Sequence, residues 1–343
     1  MNASRFVRLV VGAALVLALV LVVYLNRHDL PDIERAVERS SHVWLAVGTG
    51  LFLVWLSMWT LLQVACRRAV GAGGYHEFGR MVPLTSAAIA LNLVVKSSNL
   101  AGIVFFSADA RRRNLPATRV NSAYLLSVAF VDFAFIVPIA AAVVVAVHDR
   151  KLPWPEAVAV AVFTALILVR AALLVAAFRN KDFLRRLHAL PFQLWDRVRR
   201  RSPRPVGESA VVDEVYDVAQ LIRRRPVAAA PAFAFAVGID VVGIAMLWAA
   251  LAAVGGGEHF LVAVVAYVMS VIFASIGLIP GGLGVTEVGA TAVLAAFGVP
   301  IGLAAAAVLI FRVWEYWLPL VTGLLTGWAL RVRDRRADTE VLA

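Results

Sequence analysis

The sequence predicts an all-α polytopic membrane protein, and its composition and patterning support this fold class. Of its 343 residues, 62% are hydrophobic, well above the roughly half that is typical of soluble domains. The apolar residues occur in long runs that reach or approach the roughly 20 residues needed to cross a bilayer as a helix. These runs lack period-two alternation, which argues against an outer-membrane barrel.

Six runs are interpreted as full spans, and residues 1–343 are expected to form a single integral membrane domain. The first run has a basic start at Arg5 and Arg8 but no small-residue cleavage site, so it is interpreted as a retained helix rather than a signal peptide. The six runs are Phe6–Leu25, Val43–Ala65, Asn121–Val147, Ala157–Phe178, Val227–Val254 and Ile301–Leu330.

The net charge of +11 lies mostly in the loops and predicts the orientation. The loop at 179–226 and the tail after Leu330 are rich in arginine, so the positive-inside rule places both in the cytoplasm. The Gly255–His259 turn has no Lys or Arg and is expected outside. In a bacterial inner membrane the C-terminus is then cytoplasmic, and the basic excess attracts anionic lipid. No folded basic domain is present, so nucleic acid is not an expected partner.

Two apolar segments are interrupted and are predicted to be pairs of shorter helices around a break. Residues 82–108 contain Lys96-Ser97-Ser98-Asn99, and residues 260–298 contain Ile279–Gly284. The pieces of 82–108 are about 14 and 10 residues long, roughly 21 and 15 Å, and neither spans a core of about 30 Å. Loop charge is compatible with a re-entrant hairpin and with a single span, and it favours the hairpin slightly.

The hairpin interpretation implies an inverted-topology repeat. Residues 1–155 run helix, helix, re-entrant pair, helix, and residues 156–343 follow the same order from the opposite side. This is the architecture of many secondary transporters, whose broken helices mark the substrate site. The alternative is that hydropathy alone suggests the symmetry, because residue identities in the two halves barely match.

Ionisable residues within apolar segments are costly, so each is expected to face protein or a wet cavity. Asp132, Asp240 and Arg312 fall near mid-span. Arg312 and Glu315 are three residues apart, which places them on one helix face where they can pair. Arg312 therefore has two interpretations: a structural ion pair, or a guanidinium that meets a lipid phosphate.

The two breaks carry further candidate residues. Pro280, Gly281, Gly282 and Gly284 disfavour a continuous helix, and the amino end of the helix that follows attracts anions. Glu287, in its first turn, either neutralises that end or acts as a gate or as a counter-charge to a cationic substrate group or to Arg312. In the first break, Ser97, Ser98 and Asn99 are natural helix caps, and Lys96 lies at the negative end of the preceding helix.

No cofactor or metal is expected. The single cysteine, Cys66, excludes an internal disulfide, and Cys and His do not occur at metal-binding spacings. The sequence has no Gly-x4-Gly-Lys-Ser/Thr motif for ATP, so net transport would need a gradient or metabolic pull.

The stretch Ile279–Glu287, then Leu294–Gly298, Arg312–Pro319 and Gly323 resembles the C-terminal signature of the lysylphosphatidylglycerol synthase transmembrane family, the flippase-like membrane domain of bacterial aminoacyl-phosphatidylglycerol synthases. The resemblance implies a lipid-translocating protein with two re-entrant hairpins. It maps the family's glycine break, acidic residue and membrane arginine onto Pro280–Gly284, Glu287 and Arg312. Many members have a Pro/Gly-rich first break, where this chain has Lys96–Gly102. The aminoacyltransferase domain is missing, so synthase activity is not expected.

The leading hypothesis is therefore translocation of an anionic phospholipid or lipid-linked sugar between leaflets, with no catalytic residues. The alternatives are a polyprenyl-phosphate glycosyltransferase, against which stands the lack of an Asp-x-Asp pair in the loops, and a non-transporting accessory subunit of glycolipid or envelope assembly. A homo-oligomer or an envelope-assembly partner is compatible with each. The candidate transport residues are Lys96, Asn99, Asp132, Asp240, Pro280, Gly281, Gly282, Gly284, Glu287, Arg312 and Glu315.

Overall fold

The computed structural model describes residues 38–95, 101–149, 226–276 and 280–342, together with isolated positions between residues 165 and 223. Within these ranges the regular structure is helical and contains no β-strand, so the all-α prediction is confirmed. The helices are α1 (His42–Ala69), α2 (Phe78–Val94), α3 (Ile103–Arg112), α4 (Ala117–Ala134), α5 (Ile136–Asp149), α6 (Pro226–Ala253), α7 (Phe260–Ile276), α8 (Val285–Ala296), α9 (Ile301–Arg312) and α10 (Leu318–Leu342).

Four helical stretches in the described ranges are long and apolar enough to cross a membrane. They coincide with four of the six predicted runs, and α7 and α8 are shorter apolar helices, as the broken segment requires. Of the other two predicted spans, Phe6–Leu25 lies outside the described residues, and a single position of Ala157–Phe178, residue 165, is described. The four stretches are His42–Ala69, Ala117–Val145, Val227–Ala253 and Ile301–Leu330.

The first interrupted segment folds back on itself. At 17 residues, α2 is longer than the predicted 14, and α3 has 10. Near the break, the Asn92 side chain accepts a hydrogen bond from the Gly102 N–H (2.8 Å) and donates one to the Tyr124 hydroxyl (3.0 Å). At the other end, Arg113 beyond α3 contacts Glu77 before α2 at 2.6 Å. Because the two ends meet, the segment returns to the side from which it started, as a re-entrant hairpin does.

The second interrupted segment is also a hairpin, formed by α7 packed on α8. Its break contains a 3₁₀ turn, Pro280–Gly282, in which Gly281 and Gly282 have φ angles of 68° and 66°. A Cβ on Gly281 would lie 2.0 Å from the Tyr316 ring, and one on Gly282 would lie 2.6 Å from the Ala274 Cα. Both the backbone conformation and the close packing therefore require glycine here.

The two long spans after the hairpins are each interrupted just before a proline. Phe135 separates α4 from α5 three residues before Pro138, and a π turn, Val313–Trp317, separates α9 from α10 two residues before Pro319. Proline has no N–H to donate to the carbonyl four residues earlier, so the regular helical ladder is lost at that point. π turns of this kind occur often at functional sites.

The second set of helices repeats the packing of the first. α1 packs on α2 and α4, and α6 packs correspondingly on α7 and α9. α2 contacts α10, and its counterpart α7 contacts α5. The start of α1 meets the end of α6, where the Ser41 N–H donates to the Ala253 carbonyl at 2.8 Å, so these central helices are antiparallel. This packing is compatible with an inverted repeat. The division at 155/156 stays a prediction, because residues 150–164 lie outside the described ranges.

Small residues allow α10 to approach the first hairpin closely. Gly323 and Gly327 are four residues apart on α10 and face α2. A Cβ on Gly323 would lie 2.2 Å from the Ser86 carbonyl oxygen and 2.4 Å from the Ala90 Cβ. Small residues at this spacing let membrane helices pack backbone against backbone. This contact attaches the first hairpin to the last helix of the chain.

We expect Gly323→Val to lower the free energy of unfolding by about 1–3 kcal/mol, because the added carbons push α10 away from α2. Gly50→Ala is the control, since a Cβ there meets nothing within 4 Å. Denaturant unfolding in detergent micelles measures both. Equal stability of the two variants would contradict the close packing of α2 and α10.

Candidate functional site

Arg312, the last residue of α9, is the centre of a buried polar cluster. Only 2% of its side chain is exposed. Its Nε donates to Glu287 Oε1 at 2.7 Å, its Nη1 to Glu315 Oε2 at 2.5 Å, and its Nη2 to the Gly281 carbonyl at 2.8 Å. Each guanidinium nitrogen thus has a partner. We call Gly281, Gly284, Glu287, Arg312 and Glu315 the Arg312 cluster.

Glu287 joins the arginine to the break in the second hairpin. Its Oε2 accepts a hydrogen bond from the Gly284 N–H at 2.6 Å, while its Oε1 accepts from Arg312. The carboxylate therefore satisfies an unpaired N–H at the start of α8 and adds negative charge at the positive end of the helix dipole. The two expected roles of Glu287, neutralising the helix end and acting as counter-charge to Arg312, are combined in one side chain.

Glu315 and Tyr316 lie in the π turn and contact the guanidinium from the other side. The predicted pairing of Arg312 with Glu315 is present, although the helix between them is wider than an α-helix. The Tyr316 ring lies 4.7 Å from the guanidinium carbon, within the range of a cation–π contact. The same ring packs against Gly281, so the break, the arginine and the π turn form one unit.

The formal charge of the cluster is −1, from one arginine and two glutamates, and all three side chains are largely shielded from solvent. The exposed fractions are 14% for Glu287 and 26% for Glu315. Removing Arg312 from this group would leave two carboxylates without a counter-charge, which is destabilising. The cluster therefore holds α8, α9 and the break together in this conformation.

The break in the second hairpin also faces the first hairpin. The Pro280–Gly282 turn packs against α2 as well as α7. Four predicted glycine and glutamate positions, Gly281, Gly282, Gly284 and Glu287, thus lie beside Arg312 or within the same break. Two other candidates, Lys96 and Asn99, lie outside the described residues.

Two predicted carboxylates lie on other helices. Asp240, halfway along α6, is 5% exposed and accepts a hydrogen bond from the Tyr267 hydroxyl of α7 at 2.9 Å. Asp132 is half-buried near the end of α4. The hydrogen-bond partners of Arg312 described above include neither residue, so the candidate positions divide into the Arg312 cluster and separate sites.

A second buried charge group, which the sequence analysis missed, closes the open end of the first hairpin. Arg67, at the end of α1 and 1% exposed, lies 3.4 Å from Glu77 and 3.3 Å from Asp109. Arg80 contacts both carboxylates, and Arg113 contacts Glu77. These five residues, the Arg67 cluster, tie the end of α1 to both ends of the hairpin. The sequence signal for this cluster was that Arg67 and Glu77 flank a short glycine-rich turn at 71–74.

The pKa of Glu77 reflects this setting. Burial acts to raise it, but the hydrogen bond from Arg113 and the charges of Arg80, Arg113 and Arg67 together hold it below its ordinary value. A carboxyl whose folded pKa is depressed contributes stability above its unfolded pKa and loses that contribution as the pH falls through the folded pKa.

We expect Glu77→Gln to lower the free energy of unfolding by about 3–5 kcal/mol at neutral pH, since it leaves Arg67 without one of two buried counter-charges. The matched control is Glu258→Gln, whose carboxylate is 70% exposed and should cost almost nothing. The difference between wild type and Glu77→Gln should shrink as the pH falls through the depressed pKa of Glu77. A difference that is small at pH 7 or constant down to acid pH would be inconsistent with the cluster.

The Arg312 cluster predicts a contrast between single and multiple substitutions. Arg312→Met alone should lower the free energy of unfolding by up to about 3–5 kcal/mol, because two half-buried carboxylates lose their counter-charge. The triple variant Arg312→Met, Glu287→Gln, Glu315→Gln removes every charge and should recover most of that loss. Unfolding in detergent micelles compares the two, and a triple variant no more stable than the single one would disprove the charge-compensation argument.

Comparison with known proteins agrees with this architecture. The model of a protein family described as the lysylphosphatidylglycerol synthase TM region matches residues 7–323. No curated protein matches the sequence. The family match covers both hairpins, the Arg312 cluster and all of the described spans except the last seven residues of Ile301–Leu330. The chain is therefore a multi-pass membrane protein with a membrane-lipid-related function, and it belongs to the lysylphosphatidylglycerol synthase TM region family.

Proposed function

We propose that this protein translocates a phospholipid or a lipid-linked sugar between leaflets, and that the Arg312 cluster is part of the path of the head group. The observation that carries the proposal is a fully enclosed guanidinium at a helix break, in a family related to membrane lipids. Buried ionisable residues in membrane proteins are rare and are associated with substrate pathways. Broken helices beside them are typical of transporter substrate sites.

In this proposal the described conformation is a closed state. The arginine donors are occupied by two carboxylates and a carbonyl, and a lipid phosphate would replace one or both carboxylates. Guanidinium binds phosphate in the same bidentate geometry as carboxylate, so the exchange conserves charge-assisted hydrogen bonds. The amino end of α8 at Gly284 offers further positive potential once Glu287 moves away. The acyl chains would stay in the bilayer.

The first hairpin supplies the opposite wall of this proposed path. The Pro280–Gly282 turn already contacts α2, and Lys96 and Asn99 follow α2 in the sequence. Lys96 would attract the same anionic head group. Asp132 and Asp240 remain candidate polar positions outside the Arg312 cluster. No enzymatic step is part of the proposal.

We further propose that the protein lies in a bacterial inner membrane with its C-terminus in the cytoplasm. Because α1 and α6 are antiparallel, the Arg67 cluster at the end of α1 lies at the same end of the bundle as the start of α6, which follows the basic 179–226 loop. This common location of the basic segments supports a cytoplasmic assignment for that end.

A second candidate function is a non-transporting accessory subunit. The observation in its favour is that every guanidinium nitrogen of Arg312 is already satisfied within the chain. A partner in envelope assembly, or a second copy of the chain, would then be its binding target. A polyprenyl-phosphate glycosyltransferase remains the enzymatic alternative.

The test is leaflet exchange of labelled phosphatidylglycerol, other phospholipids and a polyprenyl-linked sugar in proteoliposomes. Wild type should exchange at least one of these lipids. The triple variant Arg312→Met, Glu287→Gln, Glu315→Gln should be slower by about 10- to 100-fold, the value of a charged hydrogen bond of roughly 1.5–3 kcal/mol. Glu258→Gln should match wild type.

Because the triple variant is expected to fold, its loss of exchange separates transport from stability. Exchange by a well-folded triple variant at the wild-type rate would assign Arg312 a structural role. No exchange by wild type with any of these lipids would favour the accessory subunit or the enzyme.

A further inference from the structure

Asp240 and Tyr267 form a buried polar pair that the Arg312 cluster does not include. Asp240 lies halfway along α6, the central helix that packs against α1, α4, α5, α7 and α9. Its Oδ1 accepts the Tyr267 hydroxyl at 2.9 Å. Among the described residues, its Oδ2 is buried and has no hydrogen-bond partner, and no arginine or lysine forms an ion pair with it.

The position of the tyrosine is fixed by the helix that carries the acid. A Cβ on Gly243 would lie 2.4 Å from the Tyr267 ring, so the ring packs directly on the α6 backbone one turn after Asp240. Such close packing aims the hydroxyl at the carboxyl group. The pair thus consists of a buried carboxyl group with one oxygen bonded to the Tyr267 hydroxyl and the other, Oδ2, without a hydrogen-bond partner among the described residues.

Among the described residues, the charged groups on the helices packed against α6 form no ion pair with this acid. Arg312 on α9 uses its three nitrogens on Glu287, Glu315 and the Gly281 carbonyl. Tyr267 on α7 contacts Asp240 directly, through the hydrogen bond described above. The remaining groups are His42, Cys66, Arg67 and Arg68 towards the ends of α1, Arg119, Tyr124 and Asp132 on α4, and His148 and Asp149 at the end of α5.

We infer that the Asp240–Tyr267 pair is a proton-binding site that couples lipid movement to a transmembrane pH gradient; this inference rests on the proposed function. A proton adds to the open Oδ2, forming one O–H bond and changing the charge of the carboxyl from −1 to 0, while Tyr267 keeps its own proton. Burial without a cation favours the neutral acid, because an unpaired carboxylate is costly in a low-dielectric interior. Loss of the proton creates a charge that the surroundings must rearrange to accommodate.

The contacts of Tyr267 connect this change to the Arg312 cluster. The Tyr267 ring makes an edge contact with the Phe311 ring, with 6.4 Å between centroids, and Phe311 precedes Arg312 in α9. In this proposal, a shift of Tyr267 on deprotonation of Asp240 displaces Phe311, the residue that precedes Arg312 in the chain. Through this contact, proton release at Asp240 and head-group binding at the Arg312 cluster influence each other.

Proton binding is tested first, independently of transport, by infrared difference spectra of the reconstituted protein between acidic and alkaline pH. Wild type should show the carbonyl band of a protonated carboxyl that Asp240→Asn loses. Tyr267→Phe should keep this band to higher pH, because the phenol hydrogen bond stabilises the carboxylate. Ser270→Ala, a buried hydroxyl on α7 bonded to its own helix, is the control and should keep the wild-type band. A band that persists unchanged in Asp240→Asn overturns the proposal.

Coupling is tested by leaflet exchange with and without an imposed pH gradient. The gradient should change the wild-type and Ser270→Ala rates several-fold, and the Asp240→Asn rate should be the same under both conditions. Wild-type exchange that ignores the gradient would overturn the coupling and leave the proposed translocation standing. Absence of wild-type exchange would overturn the proposed function and the coupling with it, while the infrared band still decides proton binding.

Discussion

The enclosed guanidinium of Arg312 is the constraint on which the second half of this structure depends. A buried charge is tolerated only when its donors are satisfied, and here the donors reach three different elements: α8 through Glu287, the π turn through Glu315 and the hairpin break through the Gly281 carbonyl. Position 281 requires glycine, because its φ angle is 68° and the Tyr316 ring occupies the space where a side chain would lie. The helix break, the π turn and α8 are therefore held together by hydrogen bonds to one guanidinium.

The two hairpins are stabilised at opposite ends. The Arg67 cluster closes the open end of the first hairpin, where α1, α2 and α3 meet, whereas the Arg312 cluster lies at the broken tip of the second. The ionic contacts that hold the tip of the second hairpin are therefore separate from those that hold the base of the first. Gly323 packs α10 against α2, so the last helix, which begins at the π turn, is in direct contact with the first hairpin.

Features that depend on local sequence could be predicted. The lengths of the apolar runs predicted the four described spans, and the Pro280–Gly284 stretch predicted the break in the second hairpin. The three-residue spacing of Arg312 and Glu315 gave their contact. The contact between Glu287 and Arg312 spans 25 residues and was expected only as one of two roles for Glu287.

Contacts between distant segments could not be predicted in the same way. In the Arg67 cluster, Glu77 and Asp109 lie 10 and 42 residues after Arg67 in the sequence. They become its neighbours only once the hairpin folds back. Each looked like an ordinary loop charge that sets topology. The π turn was also missed. A proline inside each of two long apolar runs, Pro138 and Pro319, was an unused signal for the two interruptions.

The central claim is that Arg312 exchanges a carboxylate partner for a lipid phosphate. The most direct measurement is the nitrogen–phosphorus dipolar coupling, by solid-state NMR, of guanidinium-labelled protein in phosphatidylglycerol bilayers. The difference between wild type and the triple variant Arg312→Met, Glu287→Gln, Glu315→Gln isolates the signal of Arg312. The account predicts a phosphorus contact in wild type that is missing from the triple variant. A wild-type Arg312 signal without phosphorus coupling, in bilayers whose lipid the protein exchanges, would contradict it.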